Sequence, residues 1–298
     1  MNKKSPTYQA RHFIAQDGLR LYYRDYGDPL SDKSPLLCLA GLTRNSSDFH
    51  ALAVRFAKER RILALDYRGR GRSEYDPDWR NYQARTYLND VRHLLAATGV
   101  HRIVIVGTSL GGILGMAMGA VMPTALAGVI LNDVGPDIHP KGLARIIAYI
   151  REDRPQPDWP SAARHLEATV PYLSIHTAQE WEDLARRTYR EGADGLLHFD
   201  WDIRIAEPLL RHRGPVEDLW HLYHALRRIP ALVLRGELSD ILTPETLERM
   251  AAEKPDLVQA TVPGCGHVPL LNEPVCLEAI ERFLETVDAG NRPASHQD

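Results

Sequence analysis

Gly107-Thr108-Ser109-Leu110-Gly111-Gly112 sets a serine among glycines, directly after the apolar run 103–106 and directly before the apolar run 113–121. Read as strand, sharp turn and helix, this is the setting in which G-x-S-x-G presents a nucleophilic hydroxyl. The glycines permit a tight backbone and leave room around the serine. The helix start adds free N–H groups and the positive end of a dipole. A glycine-rich turn with a serine N-cap would share this sequence. A phosphate-binding loop would need a Lys-Ser/Thr ending, which is missing.

A serine hydroxyl is a poor nucleophile until a base takes its proton. Among 13 histidines, His267 stands apart because Pro263-Gly264-Cys265-Gly266-His267-Val268-Pro269 describes a stiff loop just past the last apolar run. A carboxylate should then fix the imidazole tautomer and stabilise its charged form. Glu237 and Asp240 both follow the apolar run 231–234, and Asp240, further out in the turn before Thr243-Pro244, is the expected partner. Asp133, at the end of run 128–131, is the rival. An oxyanion needs two preorganised N–H donors. Leu110, next after the serine, supplies one, and Leu42, in the turn after run 35–40, is the expected second. Arg44, two residues on, either meets an anionic substrate group or pairs with a nearby acid.

These residues sit at the ends of short apolar runs: 35–40, 62–66, 103–107, 128–131, 231–234 and, more weakly, 258–262. Residues 19–26 alternate after Asp17-Gly18, which predicts an early hairpin. Helical spacing appears over 47–58 and 85–98. Strands alternating with helices predict an α/β chain with a mostly parallel, doubly wound sheet, whose ligands collect at the carboxyl ends of the strands. Residues 136–228 break the alternation. They hold helical runs at 141–152, 162–169, 178–191 and 216–227, no convincing buried strand, and Trp159, Trp181, Trp201 and Trp220. An all-helical insertion is predicted there, with the sheet core formed by 1–135 and 229–298. Its tryptophans and apolar helix faces suggest an apolar pocket.

Together, Ala40-Gly41-Leu42, Asp66-Tyr67-Arg68-Gly69-Arg70-Gly71-Arg72-Ser73, the Ser109 turn, the Asp240 turn and Gly266-His267 resemble the α/β-hydrolase fold superfamily over nearly the whole chain. The resemblance implies a helical lid after the sixth strand, which fits 136–228, and the chain order Ser109, Asp240, His267 agrees with the order found there. The segment from Asp66 to Ser73 is similar to that family's D-x-R-G-x-G-x-S turn, so Arg68 and Arg70 are expected to be structural. Many members carry His-Gly before the oxyanion donor, whereas Ala40 stands here, which leaves the support of that turn to be found. Serine at the turn argues against the branches that use aspartate there.

The implied activity is that of a serine hydrolase cleaving a small-molecule carboxylic ester or lactone through an acyl-enzyme on Ser109. A C–C bond hydrolase of ring-cleavage products, or a hydrolase-derived small-molecule receptor, would keep the same residues. No cofactor and no metal are expected, since Cys38, Cys265 and Cys276 lack ligand spacing. With 36 basic and 39 acidic residues, net charge −3, no nucleic-acid partner is expected. The uncharged run 103–131 holds six glycines and is broken by Pro123, which suits a strand and buried helix better than a membrane span. With no apolar segment behind Lys3-Lys4, a cytoplasmic protein with no membrane partner is expected.

Overall fold

A computed structural model of the chain describes residues 8–170, 172–211 and 218–290. Strand β1 (Gln9–Ile14) pairs antiparallel with β2 (Arg20–Tyr26), the hairpin turning at Gly18, whose φ of 88° suits a residue without Cβ. There follow β3 (Leu36–Leu39), helix α1 (His50–Phe56), β4 (Ile62–Leu65), α2 (Ala84–Thr98), β5 (Ile103–Thr108), α3 (Leu110–Val121) and β6 (Leu126–Asn132). Strands β3, β4, β5 and β6 are buried at every position, as their unbroken apolar runs require when helices cover both faces. The run 103–131 is thus β5, α3 and β6, and among the described residues no helix is long and apolar enough to cross a membrane.

Between β6 and the next sheet strand come α4 (Pro140–Ile150), α5 (Trp159–Thr169), α6 (Ala178–Thr188), β7 (Tyr189–Glu191), β8 (Leu197–Phe199), α7 (Glu207–Arg211) and α8 (Trp220–His224). The insertion is therefore not all helical. Residues 189–191, expected to end a helix, form with β8 a small antiparallel hairpin. Three-residue strands are too short to show alternation in sequence. Of the helical run expected at 216–227, residues 216 and 217 lie outside the described residues. The chain then returns through β9 (Ala231–Gly236), α9 (Pro244–Glu253), β10 (Val258–Val262) and α10 (Pro274–Gly290).

The large sheet runs β1-β2-β4-β3-β5-β6-β9-β10, parallel from β4 onward. From β3 the chain moves to one side for β4 and to the other for β5. The crevice at the carboxyl ends of β3 and β5 is therefore the switch point where open α/β sheets bind ligands. Leu42 and Ser109 stand at that crevice.

The turn after β4 anchors the insertion. Arg68, fully buried, pairs bidentately with Asp90 at 2.8 and 2.6 Å and also meets Asp17 and Asp76, a structural role as expected. Gly69 O accepts from Asp202 N at 2.7 Å, and Gly71 N donates to Asp200 O at 3.1 Å, strapping the end of the hairpin to the core.

Candidate active site

Ser109 has φ 49° and ψ −112°, a strained backbone that holds its side chain clear of the strand and the helix it joins. Its neighbours make that turn possible. A Cβ on Gly111 would run into the Leu39 carbonyl, one on Gly107 into the Gly111 carbonyl, and one on Gly112 into Val134. The Ser109 N–H donates to Asn132 O at 3.1 Å, tying the turn to the end of β6.

His267 Nε2 lies 3.1 Å from Ser109 Oγ and Nδ1 lies 2.7 Å from Asp133 Oδ2. A carboxylate only accepts, so Nδ1 carries the proton and Nε2 is free to accept from the serine hydroxyl. Asp133 is fully buried and sits just past β6 with φ 55°, a conformation aspartate tolerates better than most residues. Its Oδ1 accepts from Gly236 N at 2.8 Å and its Oδ2 also from Ser239 Oγ at 2.6 Å.

Asp240, expected as the carboxylate partner, is not the group on the imidazole. Both of its oxygens accept from Arg145 of α4, at 2.7 Å each, and these bonds hold its carboxyl below the usual carboxylate range. The helix comes this close because residue 142 is glycine: a Cβ there would strike the Asp240 carbonyl. Glu237, the other acid of that turn, accepts from Gly264 N at 2.7 Å and braces the histidine loop. In the sequence Asp133 and Asp240 both follow strands. What separates them is Ser239 and the Gly236 N–H facing β6, and a reading of single segments has no access to that pairing.

The turn carrying Leu42 lies against Ser109, since a Cβ on Gly41 would stand 3.9 Å from Ser109 Cβ. Among the described residues neither Leu42 N–H nor Leu110 N–H donates to a protein acceptor. The support missing from Ala40 comes from elsewhere. The buried guanidinium of Arg70 donates to Leu42 O at 2.9 Å, Arg68 O at 2.7 Å and Tyr87 Oη at 2.8 Å, and Tyr67 Oη donates to Ala40 O at 3.2 Å. Arg70 is thus structural, as expected, and what it structures is the Leu42 turn.

Ser109 and His267 open into a cavity of about 190 Å³, at the small end for a ligand pocket. Its apolar wall comes from Ile146, Ile150, Leu166, Leu173 and Leu184 of the insertion. None of the tryptophans lines it. Trp201 stacks on Phe199 at 4.0 Å between ring centres, and Trp220 is likewise buried, so these rings belong to the packed core. Arg44 does line the cavity, bound bidentately to Asp48 at 2.6 Å on each arm and bonded to Thr188 Oγ1. Arg145 and Arg187 line it too, and sequence gave no sign of either, because both reach it only through the docking of α4 and α6. No group of side chains suited to hold a metal ion occurs among the described residues.

A sequence profile described as the alpha/beta hydrolase family matches residues 36–277. The chain is 31% identical over 281 residues to a 3-hydroxybutyrate-oligomer hydrolase of Cupriavidus necator, covering 91% of this chain and 95% of the relative. It is 26% identical to a 2-(acetamidomethylene)succinate hydrolase of Mesorhizobium japonicum over 84% of this chain and 87% of the relative. The crystal structure of an alpha/beta hydrolase from Novosphingobium aromaticivorans superposes with a TM-score of 0.89 at 42% identity, over 95% of this chain and 99% of that one. A serine on a strained strand-to-helix turn, an imidazole within reach of it and a profile match running from β3 into α10 agree: the chain is a hydrolase and belongs to the alpha/beta hydrolase family.

Proposed function

We propose that the enzyme hydrolyses a short carboxylic ester or lactone through an acyl-enzyme on Ser109. The observation that carries this reading is the continuous hydrogen-bonded series Ser109, His267, Asp133 opening into a largely apolar cavity. His267 takes the serine proton as Oγ attacks the carbonyl carbon. Asp133, rather than Asp240, fixes the tautomer and stabilises the imidazolium that forms. The oxyanion is received by the N–H groups of Leu42 and Leu110, each such donor being worth about 10²–10³ in turnover. His267 then gives its proton to the leaving alcohol, and a water attacks the acyl-enzyme by the same route in reverse. Residues 136–228 act as the lid that shapes the cavity and keeps bulk water from it. The name of the Cupriavidus relative, an enzyme acting on an oligomer, supports an ester as the bond cleaved.

Intact mass after treatment with a fluorophosphonate tests this, beside Ser109→Ala and alongside turnover of 4-nitrophenyl butyrate. One adduct and ester turnover on the wild type, with neither on the variant, is the expected result. A folded wild-type protein that takes no adduct and turns over no short ester would overturn the reading.

A further inference from the structure

Three arginines line the cavity beside Ser109, and their charges are not equally met. Arg44 is matched by Asp48 through two hydrogen bonds of 2.6 Å. Arg145 is matched by Asp240 through two of 2.7 Å. Arg187, at the end of α6, has no such partner. Its Nε is shielded from solvent yet makes no hydrogen bond, and Asp48 Oδ1, already engaged by Arg44, stands 3.6 Å away. Burial pushes the pKa of this guanidinium down, the Asp48 charge opposing and the Arg44 charge adding to that, so Arg187 is met only in part by an acid it shares with Arg44. The side chain keeps 35% of its surface exposed, so the remaining donors of its fork stay open to a further anion.

We infer that the enzyme acts on esters bearing a free carboxylate, and that Arg187 receives that carboxylate within the cavity. The claim rests on the ester-hydrolase reading above and narrows its substrate class to half-esters of dicarboxylic acids and O-acylated hydroxy acids. A guanidinium presents a planar fork that matches a carboxylate, and the cavity wall already pairs its other two arginines in that way. With Arg44 and Asp48 cancelling, the wall keeps one positive charge for an incoming anion. Tyr149, whose ring also lines the cavity, keeps its proton because burial pushes its pKa up to about 12. Its hydroxyl has no hydrogen-bond partner among the described residues and offers a second donor.

The test compares matched substrates by pH-stat: monoethyl succinate, glutarate and adipate, each against its neutral carboxamide, and 3-acetoxypropanoate against its amide. The wild type is expected to favour at least one acid over its amide by ~10–100-fold in kcat/KM, the range of a charge-assisted hydrogen-bond pair, expressed mainly in KM. Arg187→Met should bring that ratio close to unity and Arg187→Lys should restore part of it, with thermal melts confirming that each variant is folded. A wild-type ratio near or below unity for every pair, or a preference unchanged in Arg187→Met, overturns the inference while leaving ester hydrolysis standing. Failure to hydrolyse acids and amides alike, with no fluorophosphonate adduct, overturns the underlying ester-hydrolase reading instead.

Discussion

The carboxylate of Asp133 accepts from His267, Ser239 and the Gly236 backbone, so its charge is fixed in place by three donors. Asp133→Asn removes the acceptor that selects the imidazole tautomer and is expected to lower kcat by about 10³–10⁴, as loss of the carboxylate does in a Ser-His-Asp triad. Asp240→Asn should stay within a few-fold of wild type. Steady-state hydrolysis of 4-nitrophenyl butyrate by the two variants separates the two carboxylates, and the reverse ranking would return Asp240 to the role expected from sequence. Asp240 has a different signature, in stability. Because Arg145 holds its folded pKa below the ordinary 3.8, its contribution is complete above that value and is lost as pH falls through the folded pKa. The melting-temperature gap between wild type and Asp240→Asn should therefore be present at pH 7 and close at strongly acidic pH. It will be small, since both side chains are about a third exposed.

At the scale of elements, the Leu42 turn depends on the segment after β4 rather than on its own sequence. Arg70→Lys shortens the reach to Leu42 O and gives up the planar fork. It should lower kcat by about 10-fold or more, within the cost of weakening one oxyanion donor, while KM changes little. A parallel rise in KM would instead indicate general disorder of the site. The strap between the hairpin and this turn carries a second test. Asp200 is pushed up to about 6, first by burial and then by the nearby Asp66 charge. Its folded pKa lies above its unfolded one, so the favourable contribution of the protonated acid is present at low pH and lost as pH rises from about 4 to 6. Asp200→Asn should stabilise the protein by about 1–3 kcal/mol above that window and not below it, read from urea midpoints at pH 4 and pH 8. Where an element is long or continuously apolar, as in β5, α3 and β6, local pattern alone set its kind and place. The Ser109 turn was legible because its glycines and the apolar runs on either side lie in one short segment, and His267 because its loop is bounded by prolines and glycines. Asp133 was legible only as the rival to Asp240, and Arg145 and Arg187 not at all, since each is defined by an element brought against it from elsewhere in the chain: the turn after β9, the turn after β9 again, and the wall beside Arg44.

Taken whole, the molecule is a rigid sheet with a roof tied to it at several points. Arg145 pairs with Asp240, Gly266 N donates to Tyr172 O at 2.7 Å, and Tyr223 Oη donates to Met250 O at 2.8 Å. Arg145, of the first of these pairs, also lines the cavity. Arg145→Met is expected to speed limited proteolysis within residues 136–228 several-fold while the global melting temperature moves little, as local opening of a satellite segment should. Cleavage rates unchanged from wild type would mean that the other ties suffice. The position of Asp133 has a further consequence for anyone wishing to exchange roofs between relatives. This carboxylate stands at the doorstep of the insertion, two residues before Gly135, and the acid that grips the roof, Asp240, lies beyond its far end. A graft joined upstream of residue 133 would import a foreign acid along with foreign specificity. One joined after Gly135 keeps the chemistry native, but it must bring an arginine of its own to meet Asp240 and a glycine to let the helix approach.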